Sequence, residues 1–154
     1  MANMFIIYDS KTGNTERMAS AIKEGAASAG ADVTLHKLGE RFPMNELSRA
    51  DVILMGSPTH YSSTTAEMRH FLESLDELKK ARKLNLRGKI GAGFGSYGWS
   101  GEALERITGA LKILGLTVKT PALKIVESPN ESDLAKCREF GKVIAQAVSP
   151  KTKK

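Results

Sequence analysis

A chain of 154 residues, 41% of them hydrophobic, has room for one domain with a sizeable core. Its apolar runs are strand-sized, too short to span a membrane, and its single cysteine, Cys137, excludes an intrachain disulfide framework or a cysteine-rich metal site. Lys and Arg number 23 against 17 Asp and Glu, a net charge of +6. Such a surface can attract nucleic acid, an acidic membrane or an acidic protein, but no nucleic-acid-binding module and no zinc spacing accompanies it. The clusters Lys79-Lys80-Ala81-Arg82-Lys83 and Lys151-Thr152-Lys153-Lys154 read as solvated surface.

The start, Met1-Ala2-Asn3-Met4-Phe5, enters an apolar run with no basic region before it. That is not a signal-peptide pattern, and it points to the cytoplasm. The run from Met4 to Tyr8 predicts a strand buried on both faces. A helical pattern from Thr15 to Ala29 follows, with Met18, Ile22 and Ala26 on its apolar side. Asp32 to Lys37 alternates and predicts a less buried strand, and Gly39 to Arg49 predicts a helical turn and a loop. Asp51 to Gly56 is a third, continuous apolar strand. Thr64-Thr65-Ala66-Glu67 has the capping-box pattern and opens a helix carrying Phe71, Leu72 and Leu75. Lys89 to Gly95 is a fourth strand, with glycines where backbone approaches closely. Ala103, Leu104, Ile107, Leu111 and Leu114 mark the next helix. A fifth strand begins at Thr117 and resumes over Ala122 to Val126, with Pro121 arguing for an edge or a break. Leu134, Cys137, Phe140, Gly141, Ile144 and Val148 mark the last helix, in which Cys137 is a core-facing or half-buried thiol without a redox role.

Strands alternating with helices predict an α/β fold, a doubly wound three-layer sandwich on a five-stranded parallel sheet in the order 2-1-3-4-5. It occupies residues 1–149, with a basic tail over 150–154. Ligands of such sheets bind beyond the carboxyl ends of the strands at the switch point. That rule selects three loops: Asp9–Thr15, Ser57–Thr65 and Ser96–Gly101.

In the first loop, Ser10, Lys11, Thr12, Gly13, Asn14 and Thr15 offer hydroxyls and backbone N–H groups at a helix N-terminus. This suits a phosphate monoester and lacks both the triphosphate and the dinucleotide glycine patterns. In the second, Pro58 stiffens the exit from the strand, Thr59 and His60 offer partners to a polar ring edge, and Tyr61 an aromatic surface. The third loop sets Ser96, Tyr97, Gly98, Trp99 and Ser100 among glycines. Large aromatics there are better placed to cover a flat ligand than to fill the core. His36 and His70 have no ligand-like cluster around them, so no metal site is expected.

Tyr8-Asp9-Ser10 with Gly13-Asn14-Thr15-Glu16, Gly56-Ser57-Pro58-Thr59-His60 and Phe94-Gly95-Ser96-Tyr97-Gly98-Trp99-Ser100-Gly101-Glu102 resemble the flavodoxins. The match is sharper to the flavodoxin-like domain of the flavo-diiron proteins. The resemblance implies flavin mononucleotide (FMN) as cofactor. It gives Ser10, Lys11, Thr12, Gly13, Asn14 and Thr15 the phosphate. Pro58, Thr59, His60 and Tyr61 take the isoalloxazine and ribityl groups together with Ser96, Tyr97, Gly98, Trp99 and Ser100. It implies electron transfer between a donor reductase and an acceptor enzyme, with no catalytic side chain, no nucleic acid and no membrane insertion. The oligomeric state stays open. A flavin-dependent NAD(P)H:quinone-type reductase is the alternative. Two departures stand out: three widely spaced His cannot build the diiron centre of that family, and +6 contrasts with the acidic shuttles. The basic surface predicts an acidic redox partner docking with salt-sensitive kinetics.

Overall fold

The computed structural model describes residues 2–10, 13–40, 44–58, 65–97 and 102–148. Strands and helices alternate along the chain: β1 (Asn3–Tyr8), α1 (Asn14–Ser28), β2 (Asp32–Lys37), a 3-10 turn (Met44–Arg49), β3 (Val52–Gly56), α2 (Ala66–Lys80), β4 (Ile90–Tyr97), α3 (Glu102–Ile113), β5 (Leu123–Val126) and α4 (Glu131–Gln146). The five strands form one sheet in the order β2-β1-β3-β4-β5, and every neighbouring pair is parallel. The expected order is therefore the observed one. The tail expected over 150–154 lies outside the described residues.

Side-chain alternation divides the core into two. Met4, Ile6 and Tyr8 of β1 pack with Met18 and Ile22 of α1 and Cys137 and Ile144 of α4. Phe5 and Ile7 of the same strand pack with Met68 and Phe71 of α2 and Leu104, Ile107 and Leu111 of α3. The sheet is thus covered on both faces, and its central strands are near-continuous apolar runs. β3 is buried throughout, whereas the edge strand β2 is not.

Three element boundaries have a visible physical cause. α2 is capped by Thr65, whose hydroxyl accepts the Met68 N–H at 3.2 Å, so the cap stands one residue later than the pattern from Thr64 to Glu67 predicts. Only Leu123–Val126 forms β5, and Thr117 keeps a single bridge to Ile90. Pro121 lies between and has no N–H to continue the ladder. α4 begins at Glu131, ahead of its first apolar marker Leu134, because Asn130 and Asp133 exchange side-chain and backbone hydrogen bonds in a capping box. That box is polar, so hydrophobic periodicity does not register it.

Candidate functional site

The carboxyl ends of β1, β3 and β4 are tied together by backbone hydrogen bonds. Asp9 N–H donates to the Gly56 carbonyl at 2.9 Å, and Ser57 N–H to the Phe94 carbonyl at 3.2 Å. β4 can lie this close only because residue 95 is glycine: a Cβ there would stand 2.0 Å from the Ser57 carbonyl oxygen. Side chains continue the link. The hydroxyl of Thr15, in the first turn of α1, is 3.3 Å from that of Ser96 near the end of β4, and both residues are buried. The described parts of all three loops therefore converge at the switch point between β1 and β3, where an open α/β sheet binds its ligands.

The first loop closes through Gly13, whose φ of 91° is the left-handed conformation that glycine adopts without strain. Gly13 is the N-cap of α1 and has no side chain to cap with. Ser10 supplies one instead: its Oγ accepts the N–H of Gly13 at 3.1 Å and of Glu16 at 3.3 Å. The N–H groups of Asn14 and Thr15 in the same turn have no acceptor within the helix. With the positive end of the helix dipole, they are the groups an anion would meet. Ser10, Gly13, Asn14 and Thr15 are thus brought together at this helix start. Lys11 and Thr12 lie outside the described residues.

The base of the second loop is drawn in by Ser57. Its hydroxyl donates to the Pro58 carbonyl at 2.9 Å and accepts the Thr65 N–H at 3.5 Å. Pro58 is half-buried beside it; Thr59, His60 and Tyr61 lie outside the described residues. Ser96 and Tyr97, read from sequence as loop residues, are the last two of β4, and the Tyr97 carbonyl accepts the Glu127 N–H at 2.6 Å. Gly98, Trp99 and Ser100 lie outside the described residues.

Two further residues belong to this site. Ser57 is fully buried and joins the second loop to β4. Asp9 is only 4% exposed. Its Oδ1 accepts the Ser10 N–H at 2.9 Å, whereas Oδ2 has no partner among the described residues. A buried acceptor left in this state costs on the order of 1–3 kcal/mol. A ligand bearing hydroxyl or N–H groups would relieve that cost. The available signal was position alone: each is the polar residue that follows directly on an apolar strand, at its ligand-binding end.

The Tyr8 hydroxyl donates to Glu16 Oε1 at 3.4 Å, and Glu16 pairs with Lys37 at 3.5 Å. Burial first, then the Glu16 charge, raises the Tyr8 phenol above its usual range, so it remains a donor. Burial likewise lowers the His36 imidazole and pushes the Cys137 thiol up to about 11. No group of His, Cys, Asp or Glu among the described residues could hold a metal ion, and none of the described helices is long and apolar enough to cross a membrane.

The family model described as flavodoxin matches residues 6–141. The type A flavoprotein of Rhodobacter capsulatus is 36% identical over 146 residues, which is 92% of this chain and 32% of that protein. The chain thus spans about a third of the length of the curated relatives it matches. Among solved structures, a flavodoxin from the domain Archaea superimposes with a TM-score of 0.86 at 37% identity, covering 95% of this chain and 98% of that one. Rubredoxin oxygen:oxidoreductase from Desulfovibrio gigas superimposes with a TM-score of 0.77 at 27% identity, over 95% of this chain and 36% of that one.

Proposed function

We propose, from the premise that this chain belongs to the flavodoxin family and is related to the flavin-binding domain of the flavo-diiron-type proteins, that it binds one FMN non-covalently. In this reading it carries electrons in the cytoplasm between a donor reductase and an acceptor enzyme. The observation that carries the reading is the buried Thr15–Ser96 hydroxyl pair. It joins the helix N-terminus that suits a phosphate to the strand end that suits a ring, at one pole of the sheet.

Ser10, Lys11, Thr12, Gly13, Asn14 and Thr15 hold the phosphate. The hydroxyl and N–H donors hydrogen-bond its oxygens without a triphosphate-type lysine loop, which favours a single terminal phosphate over a dinucleotide. Pro58, Thr59, His60 and Tyr61 hold the isoalloxazine and ribityl groups together with Ser96, Tyr97, Gly98, Trp99 and Ser100. The bound flavin supplies the electron chemistry, while the chain supplies binding, orientation and exclusion of water. Outer-sphere transfer asks no side chain to act as nucleophile or general acid. Similarity to the archaeal flavodoxin over nearly the whole of both chains supports the carrier reading.

The test has two steps. Apoprotein is titrated with FMN and with FAD, following flavin fluorescence; FMN is expected to bind with unit stoichiometry and more tightly than FAD. The loaded protein is then reduced anaerobically, adding NADH, NADPH, quinone and a flavodoxin reductase separately. A carrier reacts slowly with free nicotinamides and rapidly with the reductase. Catalytic reduction by NADH or NADPH with matching quinone turnover would instead make the protein a quinone-type reductase.

A further inference from the structure

One stretch of this chain is strongly basic. From Lys79 to Lys89 there are six basic residues and no acidic one. The stretch runs from the carboxyl end of α2 to the start of β4. Helices that return between parallel strands end where strands begin, so these residues lie at the amino ends of the strands, opposite Thr15, Ser57 and Ser96. Lys112 in the last turn of α3 and Lys119 ahead of β5 join them there.

Contacts make the face continuous. Lys79 Nζ donates to the Ile113 carbonyl at 2.6 Å, and Gly88 N–H to the Gly115 carbonyl at 3.2 Å. Arg87, Lys89, Thr117 and Lys119 line one cavity of about 370 Å³. Lys89 itself is committed, donating to the Ser48 and Ala50 carbonyls at 2.8 and 2.6 Å, and so forms the cavity wall. Acids also stand at this pole: Asp32 at the start of β2, Glu46 in a 3.0 Å ion pair with Arg49, Asp51 in the cavity lining, Glu77, and Asp76 in a 3.0 Å ion pair with Lys80. At the other pole Lys37 is matched by Glu16 and Lys124 by Glu105.

We propose that this basic pole docks onto an anionic lipid bilayer, holding the domain peripherally with its carboxyl-end site facing the solution. Two observations select lipid over a protein partner. Six of the eight cations are lysines, and protein interfaces favour arginine and deplete lysine. Lysine is a compact hydrated point charge, suited to the diffuse negative potential of headgroups. The second observation is Ile113, which is 68% exposed beside Lys79 and Lys112. An aliphatic side chain ringed by cations enters the boundary between headgroups and acyl chains.

The full chain is sedimented with vesicles of phosphatidylcholine alone and of about two parts phosphatidylcholine to one part phosphatidylserine. Binding is expected only to the anionic vesicles, and is lost at about 0.5 M salt. Lys80→Glu with Lys83→Glu should weaken partitioning at least about tenfold, and Ile113→Ser a few-fold, with unchanged circular dichroism. Polyglutamate and a DNA duplex are added as competitors at equal charge. Equal binding to neutral vesicles, indifference to the double charge reversal, or tighter binding to either competitor would overturn the proposal. The flavin titration reads the opposite pole and is independent of every one of these outcomes.

Discussion

The Thr15 hydroxyl faces that of Ser96 at 3.3 Å in a place that solvent scarcely reaches. Each is a buried polar group whose side-chain partner among the described residues is the other, so removing one takes that partner from the other. That costs more than the net worth of the bond, on the order of 1–3 kcal/mol. Thr15→Val keeps the shape and removes the hydroxyl; Ser96→Ala does the same from the other side. Each is expected to lower stability by about 1–2 kcal/mol and to weaken FMN binding roughly tenfold, read by denaturant unfolding and fluorescence titration. The double variant should cost less than the two singles together. Strict additivity would show that the hydroxyls do not interact. Both residues were legible in the sequence as members of separate loops, because each follows or ends an apolar strand. Their pairing was not, since 81 positions separate them and only the sheet order brings them together. Helical spacing left Cys137 as a core-facing or half-buried thiol, and the fold settles it as fully buried.

α1 and α4 cross on one face of the sheet at a distance that only small residues permit. A Cβ on Gly141 would stand 2.1 Å from the Ile22 carbonyl oxygen, and one on Gly25 1.8 Å from that of Arg138. In each case the obstacle is backbone, so relief requires the helices to separate. Gly141→Ala is therefore expected to destabilise the fold by about 1–3 kcal/mol, despite the better helix propensity of alanine. Gly109 in α3 is the control. Nothing stands within 4 Å of a Cβ there, so Gly109→Ala should stabilise by about 0.5–1 kcal/mol. Thermal unfolding of the two variants compares them directly; a tolerated Gly141→Ala would mean that the crossing is looser than described. Elements with a strong apolar period were the legible ones: β2 spans Asp32–Lys37, as its alternation predicts. Gly141 appeared in the last helix only as one more apolar position. Its contact with α1 depends on how two helices cross, which no single periodicity contains. Thr65 and Asn130 show the complementary limit, since helix starts are settled by polar caps that hydrophobic spacing passes over.

At the scale of the molecule, net charge is a count whereas docking responds to a field. The count of +6 predicts an acidic redox partner, but the run from Lys79 to Lys89 lies at the pole away from the candidate flavin site. β4 measures the separation: it runs eight residues from Ile90, beside that run, to Tyr97 at the site, seven steps or about 23 Å at 3.3 Å per residue. The Debye length is about 8 Å at physiological ionic strength, so charges at one pole are screened from a partner at the other. At 0.01 M salt it grows to about 30 Å and spans the domain. Lys80→Glu with Lys83→Glu is therefore expected to leave reduction of the loaded protein by its reductase within about twofold of the parent rate at physiological salt. The two should diverge only when salt is lowered, the sign of the change reporting the partner's own charge. Stopped-flow reduction across ionic strength measures this. A large rate change already at physiological salt would place the partner on the basic pole, making Lys79–Lys89 the electron-transfer docking surface and removing it from contact with lipid.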